Sequence, residues 1–193
     1  MEHTAETRQK QLKVLVPLAQ GCEELEAVTI TDLLTRAGIK VVTASLDKNP
    51  VQASRGIVLI ADTLIDNVMD DTFDAIVLPG GLPGADHLQS DSRVQGKLKS
   101  MAADNKIVAA ICAAPKALAS AGLLDGKKIT SYPGSLEQCN IRNAYYKEQS
   151  VVVDGNIITS RGPGTAMDFA LTLIEQLLGK QKRNEVEAPL MRT

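Results

Sequence analysis

Histidine and cysteine are scarce in this chain of 193 residues, and their scarcity restricts the catalytic chemistry that is available. Two histidines, His3 and His87, are too few for many metal sites and for most Cys-His or Ser-His-Asp catalysis. The three cysteines, Cys22, Cys112 and Cys139, are an odd number and have no CxxC spacing. They therefore predict neither a disulfide scaffold nor a zinc ribbon, and they favour a reducing compartment such as the cytoplasm.

Long apolar runs and a surplus of charge are missing as well. The apolar runs are short, well below the ~18 consecutive residues that a membrane helix needs. Lys plus Arg number 21 and Asp plus Glu 23, and this net charge of −2 does not suggest a nucleic-acid partner. Hydrophobic residues still make up 44%, which is too many for a disordered chain. We expect a polar, flexible tail over residues 1–11 and one folded domain over residues 12–193.

Short apolar runs alternate along the chain with segments of helical periodicity. The runs predict these strands: Val14–Leu18, Val41–Ser45, Ile57–Ala61, Ala75–Pro79, Ile107–Ile111, Val151–Asp154 and Ile157–Thr159. The periodic segments predict these helices: Glu23–Ala37, Ser92–Asp104, Pro115–Ala121 and Thr165–Leu178. A further short helix is expected near the C-terminus. This alternation predicts an α/β sandwich with a mainly parallel sheet, whose site lies at the carboxyl ends of the strands.

Cys112 follows a predicted strand at the point where the chain turns into a helix. Its immediate neighbours are alanines and Ile111, and Pro115 lies near the first helical position, as in a strained nucleophile elbow. The positive end of the helix dipole would favour a thiolate there. The alternative is a buried cysteine that acts as a small hydrophobic residue, and the pattern alone favours neither. For Cys22 and Cys139 the second interpretation is favoured.

Glu26 shares one face of the first predicted helix with four apolar residues, at positions 30, 33, 34 and 37. Burial on that face would raise the pKa of Glu26 and keep it protonated, unless its carboxyl group reaches solvent instead. A protonated carboxyl beside a thiolate would combine an acid/base and a nucleophile without histidine. Glu23 and Glu24 are interpreted differently, as acids of the first helical turn that the helix dipole favours.

Two glycine-containing loops also follow predicted strands. In Pro79-Gly80-Gly81 the backbone N–H groups are free to point at a developing oxyanion. The sequence has neither GxGxxG nor GK[ST], so no dinucleotide or P-loop nucleotide is expected. The loop from Ser160 to Thr165 suits a pocket wall, although Thr165 could equally be a plain helix cap.

Six segments, in this order, resemble the ThiJ/PfpI superfamily, specifically the branch of the Parkinsonism-associated protein deglycase and its bacterial relatives. They are GCEELEAV, RAGIKV, SRG, VLPGG, AAICAAP and TSRGPGT, and the resemblance runs from about Val14 to Pro189. It implies a flavodoxin-like three-layer sandwich, a homodimer, and neither a cofactor nor a metal. It also implies that Cys112 is the nucleophile and that Glu26 is its protonated hydrogen-bonding partner.

The resemblance further implies an oxyanion hole made by the backbone N–H groups of Gly81 and Ala113. The remaining pocket residues that it implies are Gly80, Arg55, Tyr132, Ser160 and Arg161. Two positions depart from known patterns. Ala113 stands where peptidase-like members carry a histidine, so peptidase activity is not expected. Tyr132 stands where some deglycase-branch members carry a pocket histidine; it is a poor base near pH 7, so more of the proton transfer is expected of Glu26.

The resemblance thus implies a cofactor-independent protein deglycase or glyoxalase. Its substrates would be methylglyoxal and glyoxal or their early adducts with amines and thiols, converted through a Cys112 adduct into 2-hydroxy acids. One alternative is a redox-sensing stress-response chaperone that uses oxidation of Cys112. Another is a scaffold in which the cysteine is inert.

Overall fold

The structure is a computed structural model that describes residues 11–192. Residues 1–10 of the predicted tail lie outside the described residues. The strands are β1 (Lys13–Leu18), β2 (Lys40–Ser45), β3 (Val51–Gln52), β4 (Val58–Leu59), β5 (Thr63–Leu64), β6 (Ala75–Leu78), β7 (Ile107–Ile111), β8 (Lys128–Ile129), β9 (Tyr145–Tyr146), β10 (Val151–Asp154) and β11 (Ile157–Ser160). The helices are α1 (Glu24–Arg36), α2 (Gly84–Ser90), α3 (Ser92–Ala103), α4 (Pro115–Ser120), α5 (Ala166–Leu178) and α6 (Lys180–Glu187).

Seven strands form one sheet in the order β10-β11-β7-β6-β1-β2-β5. Every neighbouring pair is parallel except the hairpin of β10 and β11. The series β2-β1-β6-β7-β11 has the strand order of a flavodoxin-like fold. The predicted α/β class with a mainly parallel sheet is therefore confirmed.

Helices cover both faces of this sheet, because the side chains of a strand alternate between its two faces. Val14 and Val16 of β1 belong to the core that contains α1 and α5 residues such as Ile30 and Phe169. Leu15 belongs to the opposite core, which contains residues of α2, α3 and α4. These two cores make the molecule a three-layer sandwich. Within residues 11–192, no helix is both long enough and apolar enough to cross a membrane.

The segment predicted as a strand at Ile57–Ala61 differs from the expectation. Only Val58–Leu59 is a strand, and it pairs with β3 in a separate two-stranded sheet. Ile57 and Val58 are 55% and 57% exposed, and Ile60 is 82% exposed. The apolar pattern therefore marks a surface here rather than a buried strand. Helix α2 was not predicted, because its seven residues are too few for a helical period to be recognised.

Candidate active site

The turn between β7 and α4 holds Cys112 in a left-handed conformation, with φ of 63°. This conformation is uncommon for a residue with a side chain and persists only where its surroundings enforce it. The Cys112 N–H donates to the Ser160 carbonyl at 3.0 Å, and the Tyr132 N–H donates to the Cys112 carbonyl at 2.8 Å. The end of β11 and the segment after β8 thus fix both peptide groups. The sharp turn predicted at Cys112 is present.

The loop after β6 approaches this turn so closely that it requires glycine. A Cβ atom on Gly80 would lie 2.7 Å from the Cβ of Cys112, closer than real Cβ atoms come. Gly81 has a φ of +86°, and a Cβ there would lie 2.4 Å from the backbone nitrogen of Glu23. The two glycines therefore allow the loop to pack between α1 and the cysteine.

Glu26 is fully buried on α1, as the helical periodicity predicts. The Gly80 N–H donates to its Oε2 at 2.7 Å. Oε1 has no hydrogen-bond partner among residues 11–192. The Cys112 thiol lies close enough to the carboxyl group to lower its pKa. Burial outweighs both contacts and raises the pKa of Glu26 to about 7, so near neutral pH it can hold or release a proton.

The Cys112 thiol is also shielded from solvent, being 8% exposed. Burial, and next the Glu26 carboxylate, raise its pKa to about 12, while the N–H groups of Gly81 and Ala113 lower it. The expectation that a helix end favours the thiolate is therefore wrong for the resting site. Desolvation and the Glu26 carboxylate dominate here, and α4, with its positive end at this turn, has only six residues. Because each group shifts the pKa of the other, Cys112 and Glu26 titrate as a coupled pair.

A cavity of about 340 Å³ opens onto Cys112. Its lining residues are Glu23, Ser54, Arg55, Gly81, Leu82, Cys112, Ala113, Tyr132 and Pro163. Five residues predicted for the site thus meet at one cavity, and these are Cys112, Gly81, Ala113, Arg55 and Tyr132. Glu26 and Gly80 do not line it. They lie directly behind the cysteine, where they contact each other.

Two further predicted pocket residues do not line this cavity. Ser160 is fully buried, and its hydroxyl bonds the Ser150 carbonyl and the Thr165 hydroxyl, each at 2.7 Å. It supports the Cys112 backbone rather than the pocket. Arg161, the first residue beyond β11, lines a neighbouring cavity of about 380 Å³, which shares Tyr132 and Pro163 with the first.

Glu24 has a role that the sequence does not reveal. It accepts hydrogen bonds from the N–H groups of Arg55 at 3.0 Å and Ile57 at 3.3 Å, and from the Ser54 hydroxyl at 3.2 Å. Glu23 accepts a second bond from Ser54 at 2.9 Å. Burial alone would raise the pKa of Glu24, but backbone N–H groups and the hydroxyl lower it. The two acids therefore hold the 54–57 turn against α1. Their partners are some thirty residues away and are mainly backbone groups, so the sequence does not predict these contacts.

Other candidates lie away from the cavity. His87 is exposed on α2, as expected for a surface residue. Cys22 is fully buried, and burial followed by Glu24 raises its pKa to about 12, which suits a small hydrophobic residue. Cys139 is partly buried and lines a different cavity. In the part of the chain that the structure describes, no three His, Cys, Asp or Glu residues are grouped to hold a metal ion.

The chain is similar in sequence to known proteins. The profile of the DJ-1/PfpI family matches residues 12–176. Protein DJ-1 homolog A of Arabidopsis thaliana is 46% identical over 92% of this chain, but the chain spans only 46% of that relative. The glutathione-independent glyoxalase DJR-1.2 of Caenorhabditis elegans is 32% identical, over 94% of this chain and 96% of the relative.

A solved structure resembles the whole described fold. The crystal structure of Drosophila melanogaster DJ-1beta matches with a TM-score of 0.90 at 44% identity, covering 95% of this chain and 99% of that one. The match in sequence extends over the strands, the elbow and the glycine loop together. The chain therefore belongs to the DJ-1/PfpI family.

Proposed function

We propose that this protein is a cofactor-independent enzyme of the glyoxalase or deglycase type. Its substrates would be methylglyoxal and glyoxal, or their early adducts with amines and thiols. One observation carries the proposal: Cys112 is held in a strained turn at a cavity, with a carboxyl group of pKa about 7 behind it. Such a pair supplies a nucleophile and a proton carrier without histidine. Glyoxalase activity in a family relative supports it further.

The first step is addition to the aldehyde. The Cys112 thiol gives its proton to the Glu26 carboxylate, and the sulfur bonds to the aldehyde carbon. The C=O electron pair moves onto oxygen, and the N–H groups of Gly81 and Ala113, which already act on the thiol, stabilise that oxyanion. The oxyanion then takes the proton from Glu26, which gives a hemithioacetal and leaves Glu26 as the carboxylate.

The second step moves a proton between adjacent carbons. Glu26 removes the hydrogen from the carbon that bears sulfur, and the neighbouring carbonyl oxygen takes a proton, which forms an enediol. The neighbouring carbon then takes a proton, while the hydroxyl on the sulfur-bearing carbon loses one and becomes a carbonyl. The product is an α-hydroxy thioester on Cys112. Water then cleaves the thioester, releasing a 2-hydroxy acid and restoring the thiol. For methylglyoxal, the net change is addition of one water to give lactate, so no oxidant or reductant is consumed.

A second function is supported by the same residues. Peroxide can oxidise the Cys112 thiolate to a sulfinate, whose two oxygens the Gly81 and Ala113 N–H groups and a protonated Glu26 would stabilise. The protein would then be a redox-responsive sensor or chaperone.

The enzyme is proposed to act in the cytoplasm as a homodimer. All three cysteines are unpaired thiols, which suits a reducing compartment. Apolar side chains on α1 and around β4 are exposed and suit a self-interface. No partner beyond small dicarbonyls, their adducts and a second copy is proposed.

The deciding experiment is lactate formation from methylglyoxal without glutathione. We expect Cys112→Ala to lower the rate by roughly 10³-fold or more, since the covalent route is lost. Cys139→Ala is the matched control and should retain wild-type activity, because Cys139 lies at another cavity. Full activity in Cys112→Ala would reject the mechanism. No lactate from the wild type, with two oxygens gained selectively at Cys112 under peroxide, would favour the sensor.

A further inference from the structure

A second cavity adjoins the Cys112 cavity. Tyr132 and Pro163 line both, and the two measure about 380 and 340 Å³. A Cβ on Gly162 would lie 3.4 Å from the Tyr132 ring, so the ring lies against the backbone of the second cavity. A ligand that reacts at Cys112 and extends beyond Tyr132 or Pro163 would enter this second space. Free methylglyoxal, with three carbons, is too small to do so.

The second cavity carries one charge of each sign. Glu148 and Arg161 line it together with the neutral residues Tyr132, Pro133, Ser150, Gly162, Pro163, Gly164 and Thr165. Within residues 11–192, neither charged side chain has a hydrogen-bond or ion-pair partner. Two charges left unpaired in one cavity suit a ligand that bears both a cation and an anion.

The backbone that carries Arg161 is fixed before any ligand binds. The Arg161 N–H donates to the Ser150 carbonyl at 3.3 Å, and the Ser160 hydroxyl donates to the same oxygen at 2.7 Å. Thr165 Oγ1 accepts from the Gly162 N–H at 3.1 Å. Because the loop is already ordered, binding there costs less conformational entropy.

We propose that this cavity is a subsite for the α-amino acid end of a dicarbonyl adduct. Arg161 would bind the α-carboxylate and Glu148 the α-ammonium group, while the dicarbonyl-derived end of the side chain reaches Cys112. The inference rests on the proposed function and narrows its substrate class. Adducts of free amino acids carry both charges, whereas in a protein-borne residue both groups are tied up in peptide bonds. The site therefore selects adducts of free amino acids over those of protein side chains.

Binding of a stable adduct mimic tests the subsite directly. Nε-lactoyllysine keeps the lactoyl end and both charges, and its affinity can be measured by calorimetry at low ionic strength. Acetylating its α-amine, or converting its carboxylate to a methylamide, should each weaken binding about two- to fivefold, as expected for exposed ion pairs. In Glu148→Gln the acetylation effect should vanish while the methylamide effect remains. In Arg161→Gln the methylamide effect should vanish while the acetylation effect remains. Arg161→Lys keeps the positive charge and should retain part of the methylamide effect.

Three results would overturn the subsite. The first is equal affinity of the wild type for the free mimic and for the mimic blocked at both groups. The second is no binding of any mimic to the wild type. The third is that acetylation and methylamide formation change the affinity equally in the Glu148 and Arg161 variants. Lactate formation from free methylglyoxal, measured on the same wild-type preparation, is a separate readout of the proposed function. A wild type that makes no lactate rejects the proposed function, whereas the calorimetric pattern decides the subsite by itself.

Discussion

At the scale of single residues, the site depends on one proton shared by two buried groups. Glu26 and Cys112 have pKa values raised to about 7 and about 12, both chiefly by burial. Below about pH 7 the pair holds two protons, and Glu26 cannot take the thiol proton. Above it the pair holds one proton, which moves from sulfur to carboxylate when the thiol attacks. In the proposed mechanism, Glu26, which helps to raise the pKa of the resting thiol, is thus also the base that activates it.

This pairing predicts the pH dependence of catalysis. For lactate formation from methylglyoxal, kcat/KM should rise about tenfold per pH unit up to about pH 7 and level off above it. Glu26→Gln should lose that rise together with at least ~100-fold of the rate, because no carboxylate remains to accept the proton. Glu26→Asp should keep the rise with a lower rate. A wild-type profile that is flat from pH 5 to 8 would contradict the shared-proton mechanism.

Cys112 and Glu26 could be predicted because local patterns mark them. A cysteine between small residues at a strand end, and an acid on an apolar helix face, are visible in the sequence. Glu24 and Glu148 could not be predicted, because their roles depend on contacts made across the fold. Glu24 is saturated by backbone donors of another loop, and Glu148 matters through the cavity that it lines. The Cys112 pKa was misjudged since burial is not a property of the sequence.

At the scale of elements, the main strands could be predicted because central parallel strands are apolar on both faces. The prediction fails at Ile57–Ala61, where apolar residues cover an exposed hairpin. That hairpin depends on α1: Glu24 joins the 54–57 turn to the first turn of the helix. One wall of the Cys112 cavity, formed by Ser54 and Arg55, is therefore positioned by a residue that does not line the cavity.

Removing the Glu24 charge should loosen this turn. In Glu24→Gln one oxygen still accepts from the Arg55 and Ile57 N–H groups, but the charge is lost and an NH₂ group replaces Oε2, which accepts from Ser54 and Arg55. Because hydrogen bonds to a charged acceptor are stronger than neutral ones, we expect a loss of about 1–2 kcal/mol in unfolding free energy. Amide hydrogen exchange at Arg55 and Ile57 should become faster. Glu23→Gln is the matched control, since it disturbs a single hydroxyl contact and leaves those amides bonded. Equal exchange rates in the two variants would show that the carboxylate of Glu24 does not hold the turn.

At the scale of the whole molecule, the same hairpin and helix present apolar side chains to solvent. Leu25 and Val28 on α1 are 49% and 48% exposed, and Ile57, Val58 and Ile60 exceed half. The hydrogen bond from the Ile57 N–H to Glu24 shows that the two segments are adjacent. Exposed apolar side chains on adjacent segments are typical of a protein interface. Because it borders the turn that carries Arg55, dimerisation there would cover the outer side of the cavity wall.

The proposed homodimer can be broken from this surface. Ile60 is the most exposed of these five residues. The variant Ile60→Asp would bury a charge in the interface, so it should raise the dimer dissociation constant at least about tenfold, or ~1.4 kcal/mol. Sedimentation velocity would show monomers, and circular dichroism should show an intact fold. Met191→Asp is the matched control, since Met191 is 85% exposed near the C-terminus, beyond α6. A monomeric wild type, or dissociation caused equally by Met191→Asp, would rule this surface out as the self-interface.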